Sequence, residues 1–269
     1  MLVALGLSLI LAVTGIVQLA HGEMYMLGGY ITYTFCIKLG LSFIPSLAIA
    51  TVVVGLLGIP IEKIFYRPFR HGDFTPMVIM GLALMLILQT SASLIWNTSF
   101  KYLHTPFPEV YHVAGAVISQ ERLIIISVGT IFIIAFFLLL HKTTSGRAMR
   151  AVAQDMTAAA LQGINIDRVS SVAMFLGCCL AGVAGGLMGA IFTLSPFMGS
   201  PVLMIGISVI ILGGLGSIIG AVVGGYILGF VNSIATLLFS LYVADAASFL
   251  IIILILLFRP QGLMGHPSQ

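Results

Sequence analysis

The sequence predicts an all-α, polytopic integral membrane protein, and three observations carry that reading. Of its 269 residues, 60% are hydrophobic and only 7% are charged, against about 25% charged in an ordinary soluble domain. Residues 1–20, 39–61, 74–96 and 123–140 contain no Asp, Glu, Lys or Arg, and 169–244 is a charge-free run of 76 positions. A bilayer core about 30 Å thick takes about 20 apolar residues per helix. Lipid offers the backbone no hydrogen-bond partner, so each crossing must be helical. These features exclude a soluble enzyme, a nucleic-acid-binding domain and a disordered chain. A net charge of +3 is too small to imply a nucleic-acid partner.

Apolar runs between polar stretches give about eight membrane segments, including short, re-entrant or broken helices. The first covers about 2–19, opening directly at Met1 without the basic start and cleavage site of a signal peptide. A polar break at His21-Gly22-Glu23 separates it from a short second helix, about 24–37. The third and fourth cover about 45–64 and 75–96. An outer polar stretch, about 97–121, follows; it holds Tyr102, Pro106, Phe107, Pro108 and Tyr111. The fifth segment covers about 122–141, and an inner polar stretch runs from about 142 to 168. The sixth, about 169–194, is interrupted by Ser195-Pro196 and Gly199-Ser200-Pro201. The piece 202–212 is too short to cross at about 1.5 Å per residue and reads as a half-helix ended by Gly213-Gly214-Leu215-Gly216. The last two cover about 217–240 and 246–258. Residues 1–269 thus read as one transmembrane domain.

Lys and Arg in short loops set orientation. One threading places Lys63, Arg67, Arg70, Lys142, Arg147, Arg150, Arg168 and Arg259 on the cytoplasmic side, with the C-terminus, and leaves Lys38, Lys101 and Arg122 outside. Short or Gly-interrupted segments in corresponding halves point to a transport pathway. Gly-Gly-Tyr-Ile occurs at both 28–31 and 224–227, as an internal repeat would give.

Ionisable and amide groups inside apolar segments face a bundle interior, water or a partner. Candidates for a polar path are Gln18, His21, Glu23, Tyr25, Gln89 and Asn232. Glu23 reads as the one carboxylate at membrane depth, too few for a proton relay. Gly22, Gly213, Gly214 and Gly216 are candidate hinges or helix breaks. Glycines four apart, such as Gly182–Gly186, Gly185–Gly189 and Gly220–Gly224, let backbones approach closely and predict tight packing of the sixth and seventh segments, within the subunit or across a dimer. Cys36, Cys178 and Cys179 lack metal-site spacing and read as small packing residues. No catalytic or metal-binding set emerges; Ser195, Ser208, Ser217 and Ser233 have no His near them in sequence.

The inner stretch is helix-forming in composition. Arg147 and Arg150 share a face. Asp155 can cap a second short helix and Gly163 can end it in the left-handed conformation. A helix, a cap and another helix exceed what a basic loop at lipid headgroups requires, and predict a docking element.

Several stretches resemble one family. Gln18-Leu19-Ala20-His21-Gly22-Glu23-Met24-Tyr25-Met26-Leu27-Gly28 is similar to the N-x-A-H-G-E-x-Y-M-x-G signature of branched-chain amino-acid ABC importer permeases. Gln18 and Leu19 stand where that family usually has Asn and an aromatic. Arg67-Pro68-Phe69-Arg70 resembles its R-P-L-R element. Gly146 to Asp155, then Ala159 to Ile164, resemble its G-x-A-x-R-A-x-A-x-[DN]…A-x-x-x-G-I loop. Gly213 to Ala221 resemble its G-G-x-G-S-x-x-G-A turn, and Arg259-Pro260-Gln261-Gly262-Leu263 its R-P-x-G-L ending. The length and modest loops resemble the shorter of the paired permeases.

The resemblance implies a permease subunit of the bacterial inner membrane that takes up branched-chain amino acids by alternating access. It implies a second homologous permease, two cytoplasmic ATP-binding-cassette ATPases and a periplasmic substrate-binding protein as partners. The chain has no G-x-x-x-x-G-K-[ST] phosphate loop, so ATP would be bound by the partners, with no cofactor on this chain. Gly146, Arg147, Arg150, Asp155, Ala159 and Gly163 would form the coupling surface to the ATPase. Same-family permeases for urea, short amides or other amino acids, and a stand-alone channel or secondary carrier, are the alternatives.

Overall fold

A computed structural model describes residues 1–70, 74–103, 109–113, 116–239, 241–259 and 261–265. Pro106, Phe107, Pro108 and Pro260, noted above, lie outside the described residues. The order is α1 (Leu2–Thr14), α2 (His21–Tyr33), α3 (Phe43–Pro60), α4 (Phe74–Trp96), a hairpin of β1 (Val110–Val113) and β2 (Ala116–Ser119), α5 (Gln120–Lys142), α6 (Thr144–Gln154), α7 (Met156–Leu161), α8 (Ile166–Met188), α9 (Gly199–Gly213), α10 (Ile218–Leu238) and α11 (Leu241–Phe258). Two helices run on in wider π-turns: α2 through Thr34–Lys38, and α3 through Ile61–Tyr66 and then a 3-10 turn, Arg67–Phe69. Among the described residues, five helices are long and apolar enough to cross a membrane: α3 with its extension, α4, α5, α8 and α10. Helices α1 and α9 are apolar but shorter.

The core forms around α8, which packs against α1, α2 and α3. Small residues permit this. Gly177 of α8 meets the backbone of α1 at Gly6, Gly182 that of α2 at Gly28, and Gly185 the Tyr25 carbonyl. On the α3 side, Gly58 faces the Cys178 Sγ and Gly55 that of Cys179, so these cysteines fill the space small side chains were expected to fill. Within the subunit the glycine stripe of α8 serves α1–α3, and the seventh segment, α10, packs closely on α1, α9 and α11. The two Gly-Gly-Tyr-Ile stretches both lie in helices. Gly28 faces Gly182, and a Cβ on Gly224 would lie 2.8 Å from the Val209 carbonyl oxygen.

Several boundaries move from the sequence expectation. Helix α1 stops at Thr14, not near residue 19. Gly15 takes a left-handed φ of 71°, its N–H donating to the Leu11 carbonyl. The break is 15–20, and His21, Gly22 and Glu23 already form the first turn of α2. Helix α8 ends at Met188. Residues 189–198 form a turn whose Leu194 exchanges backbone hydrogen bonds with Lys101, at 2.9 and 3.1 Å. Helix α9 starts at Gly199 and includes Ser200 and Pro201, so at about 1.5 Å per residue it is longer than a half-crossing. The outer stretch is not wholly irregular. Strands β1 and β2 pair antiparallel, Val110 with Ser119 and Val113 with Ala116. At the same end Trp96 Nε1–H donates to Thr34 Oγ1 at 2.8 Å, and its ring stacks on Tyr30.

A Cβ at Gly185 would overlap the Tyr25 carbonyl, whereas a Cβ at Gly229 meets nothing within 4 Å. Overpacking costs about 1–3 kcal/mol. Gly185→Ala should therefore lower the thermal unfolding midpoint in detergent by several degrees, and Gly229→Ala should leave it unchanged or slightly raised.

Candidate functional site: a buried polar cluster and a cytoplasmic helix pair

The polar path residues divide into groups. Gln18 lies in the turn before α2 and His21 in its first turn. His21 Nδ1 lies 3.1 Å from Gln18 Oε1, and both side chains are fully buried. Glu23, also buried, accepts a hydrogen bond on Oε1 from Gln89 Nε2 of α4 at 2.9 Å. Gln89 also donates to Ser200 Oγ of α9 at 3.0 Å. One carboxylate and one amide thus tie together α2, α4 and α9. Among the described residues Glu23 Oε2 is buried with no hydrogen-bond partner, while the buried His21 and Gln18 also face the Val3 backbone and Cys178. An unpaired buried carboxylate oxygen is costly in an apolar interior, and it sits in the second of two separate polar groups, Gln18 with His21 and Glu23 with Gln89 and Ser200.

The arrangement depends on Gly22. A Cβ there would overlap the Gly199 carbonyl, and one on Gly199 would overlap Gly22. The helix starts of α2 and α9 therefore touch backbone to backbone, which brings Ser200 within reach of Gln89. Gly22 is thus a close-packing residue within a helix, not a break. Gly213 is likewise helical and packs on the Gly220 backbone. The break after α9 belongs to Gly214 and Gly216, with φ of 105° and 78°. Ser217 then starts α10, accepting from Gly220 N–H at 3.0 Å.

Tyr25 and Asn232 do not join the cluster. Tyr25 lines an apolar cavity of about 390 Å³ with Leu2, Ala184, Val202 and Gly206. Asn232 is half-buried on α10. Ser200 was missed by sequence reading because it sits beside Pro201 in what looked like a loop. Glu62 was missed as well. It is a second deeply buried carboxylate, 1% exposed, but is paired with Arg67 and Arg70 at 2.6 and 2.7 Å.

The inner stretch is a helix pair. Thr143 caps α6, accepting from Gly146 N–H at 3.0 Å. Asp155 caps α7, accepting from Ala158 N–H at 2.9 Å. Gly163 follows α7 with φ 81°. Gly146 and Ala159 face inward, and a Cβ on Gly146 would overlap the end of α5. Arg150 is half-buried, while Arg147 is exposed. Leu161 is 84% exposed, among exposed Thr157, Ala158, Ala160 and Gln162. A large apolar residue between three alanines and Gln162-Gly163 was the signal available for it in the sequence.

Known proteins match this chain over nearly its whole length. The family model described as branched-chain amino acid transport system, permease component, matches residues 1–258. The chain belongs to that family. It is 31% identical to the high-affinity branched-chain amino acid transport system permease protein BraD of Pseudomonas aeruginosa, over 99% of this chain and 92% of that protein. It is also 31% identical to LivH of Escherichia coli K12, over 99% and 91%. A probable LivH of Methanocaldococcus jannaschii is 28% identical over 98% and 88%. No solved structure matches. As in other permeases of the family, the chain is a multi-pass membrane protein.

Glu23→Ala should strip Gln89 of its carboxylate partner and leave a void, costing about 1–3 kcal/mol. Glu23→Gln keeps an acceptor for Gln89 and should stay within about 1 kcal/mol of the parent. Thermal unfolding of the purified protein in detergent, monitored by intrinsic fluorescence, measures both.

Proposed function

We propose that this chain is one permease of an ATP-driven importer that carries branched-chain aliphatic amino acids across the plasma membrane. The observation that carries this reading is full-length similarity to permeases named for that transport. In this reading residues 1–269 form a single permease domain beside a second, homologous permease. Two cytoplasmic ATPases bind the ATP, and this chain holds no cofactor of its own. An external binding protein delivers the amino acid to the end that carries the β-hairpin. The C-terminus and the α6–α7 pair are cytoplasmic, as the distribution of Lys and Arg supports.

The mechanism is alternating access. The ATPases close on ATP and push on α6–α7, where Arg147 and Leu161 are the outward contacts. Asp155 and Gly163 fix the ends of α7, and Gly146, Arg150 and Ala159 hold the pair against the bundle. The cluster of Gln18, His21, Glu23, Gln89 and Ser200 supplies polar groups along the path, with Tyr25 and Asn232 beside other parts of it. Gly214 and Gly216 give the chain freedom to bend between α9 and α10. A chain without a phosphate-binding loop needs a surface of this kind to receive work done elsewhere.

Purification from native membranes should bring down a second permease and two ATPases, and the complex in liposomes should take up leucine only with ATP and binding protein. A chain that purifies alone and moves solute without ATP overturns the importer. Uptake of urea or short amides in place of leucine overturns the substrate. Leu161→Glu places a charge at the ATPase contact. If Leu161 is a contact hot spot worth about 2 kcal/mol, uptake should fall about thirtyfold at unchanged membrane insertion.

A further inference from the structure

At the end of the bundle that carries α6 and α7, the turn after α3 meets the start of α8 through a set of charges. Glu62, on the π-turn, is 1% exposed. Arg67 donates to it through Nη2 at 2.6 Å and Nε at 3.2 Å, and Arg70 through Nη2 at 2.7 Å. Ser171 of α8 donates to Glu62 Oε2 at 2.8 Å. Arg70 Nη1 reaches Asp167 Oδ1 at 2.9 Å, and Arg67 Nη1 reaches Asp167 Oδ2 at 3.5 Å. Arg67 Nη2 also donates to the Asp167 carbonyl at 3.2 Å and to Ser171 Oγ at 2.8 Å. Two segments a hundred residues apart are thereby cross-linked at both turns of the α8 start.

Among the described residues, helix α7 has no comparable hold on the end of α3. A crevice of about 500 Å³ lies between them, lined by Arg70, Met156, Thr157, Ala160, Asn165 and Asp167. Helix α7 passes through Gly163 into Asn165, which caps α8 by accepting from Arg168 N–H at 3.0 Å. Asp167 follows at once. Beyond the packing of Gly55 and Gly58 on α8, the inner end of α3 is therefore joined to α7 through the first turn of α8 and the ion pairs on it. The Glu62 pairs are buried and those of Asp167, 54% exposed, are not; neither kind adds much net stability, so what this set supplies is register and direction. The π-turn that carries Glu62 is an irregular element of the type that recurs at functional sites.

Resting on the importer reading above, we propose that Glu62, Arg67, Arg70, Asp167 and Ser171 are positioning residues. They form a latch that makes the inner end of α3 follow α6–α7 when the ATPases move. Cutting the latch leaves ATP hydrolysis running and lets α3 lag behind.

The test uses the complete complex in liposomes with binding protein, measuring leucine taken up per ATP hydrolysed. Asp167→Asn keeps shape but replaces the ion pairs to Arg67 and Arg70 with at most a neutral hydrogen bond, leaving Glu62 paired. Glu62→Gln does the same to the other half. At least one variant should hydrolyse ATP at the parent rate and move at most one third as much leucine per ATP. Where Asp167→Asn is the variant affected, Asp167→Glu should restore the ratio. If both variants keep the parent ratio, or lose hydrolysis and uptake in step, the latch is overturned. A parent complex that takes up leucine without ATP would instead overturn the importer reading, which the parent control reports separately.

Discussion

Backbone-to-backbone contact around α8 is the constraint on which the rest of the molecule depends. A lipid bilayer gives helices no hydrophobic reason to associate, so close van der Waals approach between small residues has to supply much of the attraction. Here Gly177, Gly182 and Gly185 present bare backbone to Gly6, Gly28 and Tyr25. Three helices are drawn onto one, with Cys178 and Cys179 filling the remaining side against α3. The turn before α2, the polar cluster and the latch are all positioned from this hub. Gln18 and His21 are carried on the α1–α2 connection, Glu23 on α2, and Asp167 and Ser171 on α8 itself.

The polar groups then act where glycine has brought elements within reach. The touching helix starts at Gly22 and Gly199 put Ser200 close enough for Gln89 to bridge it to Glu23. Asp167 on the first turn of α8 faces two arginines from the α3 turn. In each case the charged or amide group makes a specific bond across an interface whose closeness was set by residues with no side chain. Shape and chemistry are thus divided between different residue types.

How much was legible in the sequence depended on the range of the interaction. The ends of α7 were readable because Asp155 and Gly163 act within their own turn, by capping and by left-handed backbone. The apolar helices were readable from the scarcity of charge. The start of α2 was misplaced because His21-Gly22-Glu23 looks like a polar turn. Only the partners Gln18 and Gln89 and the close approach of Gly199 let that triplet lie buried in a helix, and two of those are far away in sequence. Glu62 was overlooked because its arginines read as a loop cluster that orients the chain, while Ser171 and Asp167 lie about a hundred residues on. The hairpin had a local signal, Val-Tyr-His-Val and Ala-Val-Ile-Ser around a Gly, overshadowed by Pro and aromatics nearby. For the two polar groups, composition named Gln18 and His21, and Glu23 and Gln89, but only the fold pairs them so and separates them from Tyr25 and Asn232.

Bare-backbone contact also governs how such a molecule can move. Interfaces built from long side chains can creep, because rotamers exchange and refill the gaps. Where Gly182 lies on Gly28 there is no rotamer to change, and separation by a fraction of an ångström forfeits much of the dispersion attraction. The surfaces of α1, α2 and α8 can therefore roll or pivot about their contact points but resist being pried apart.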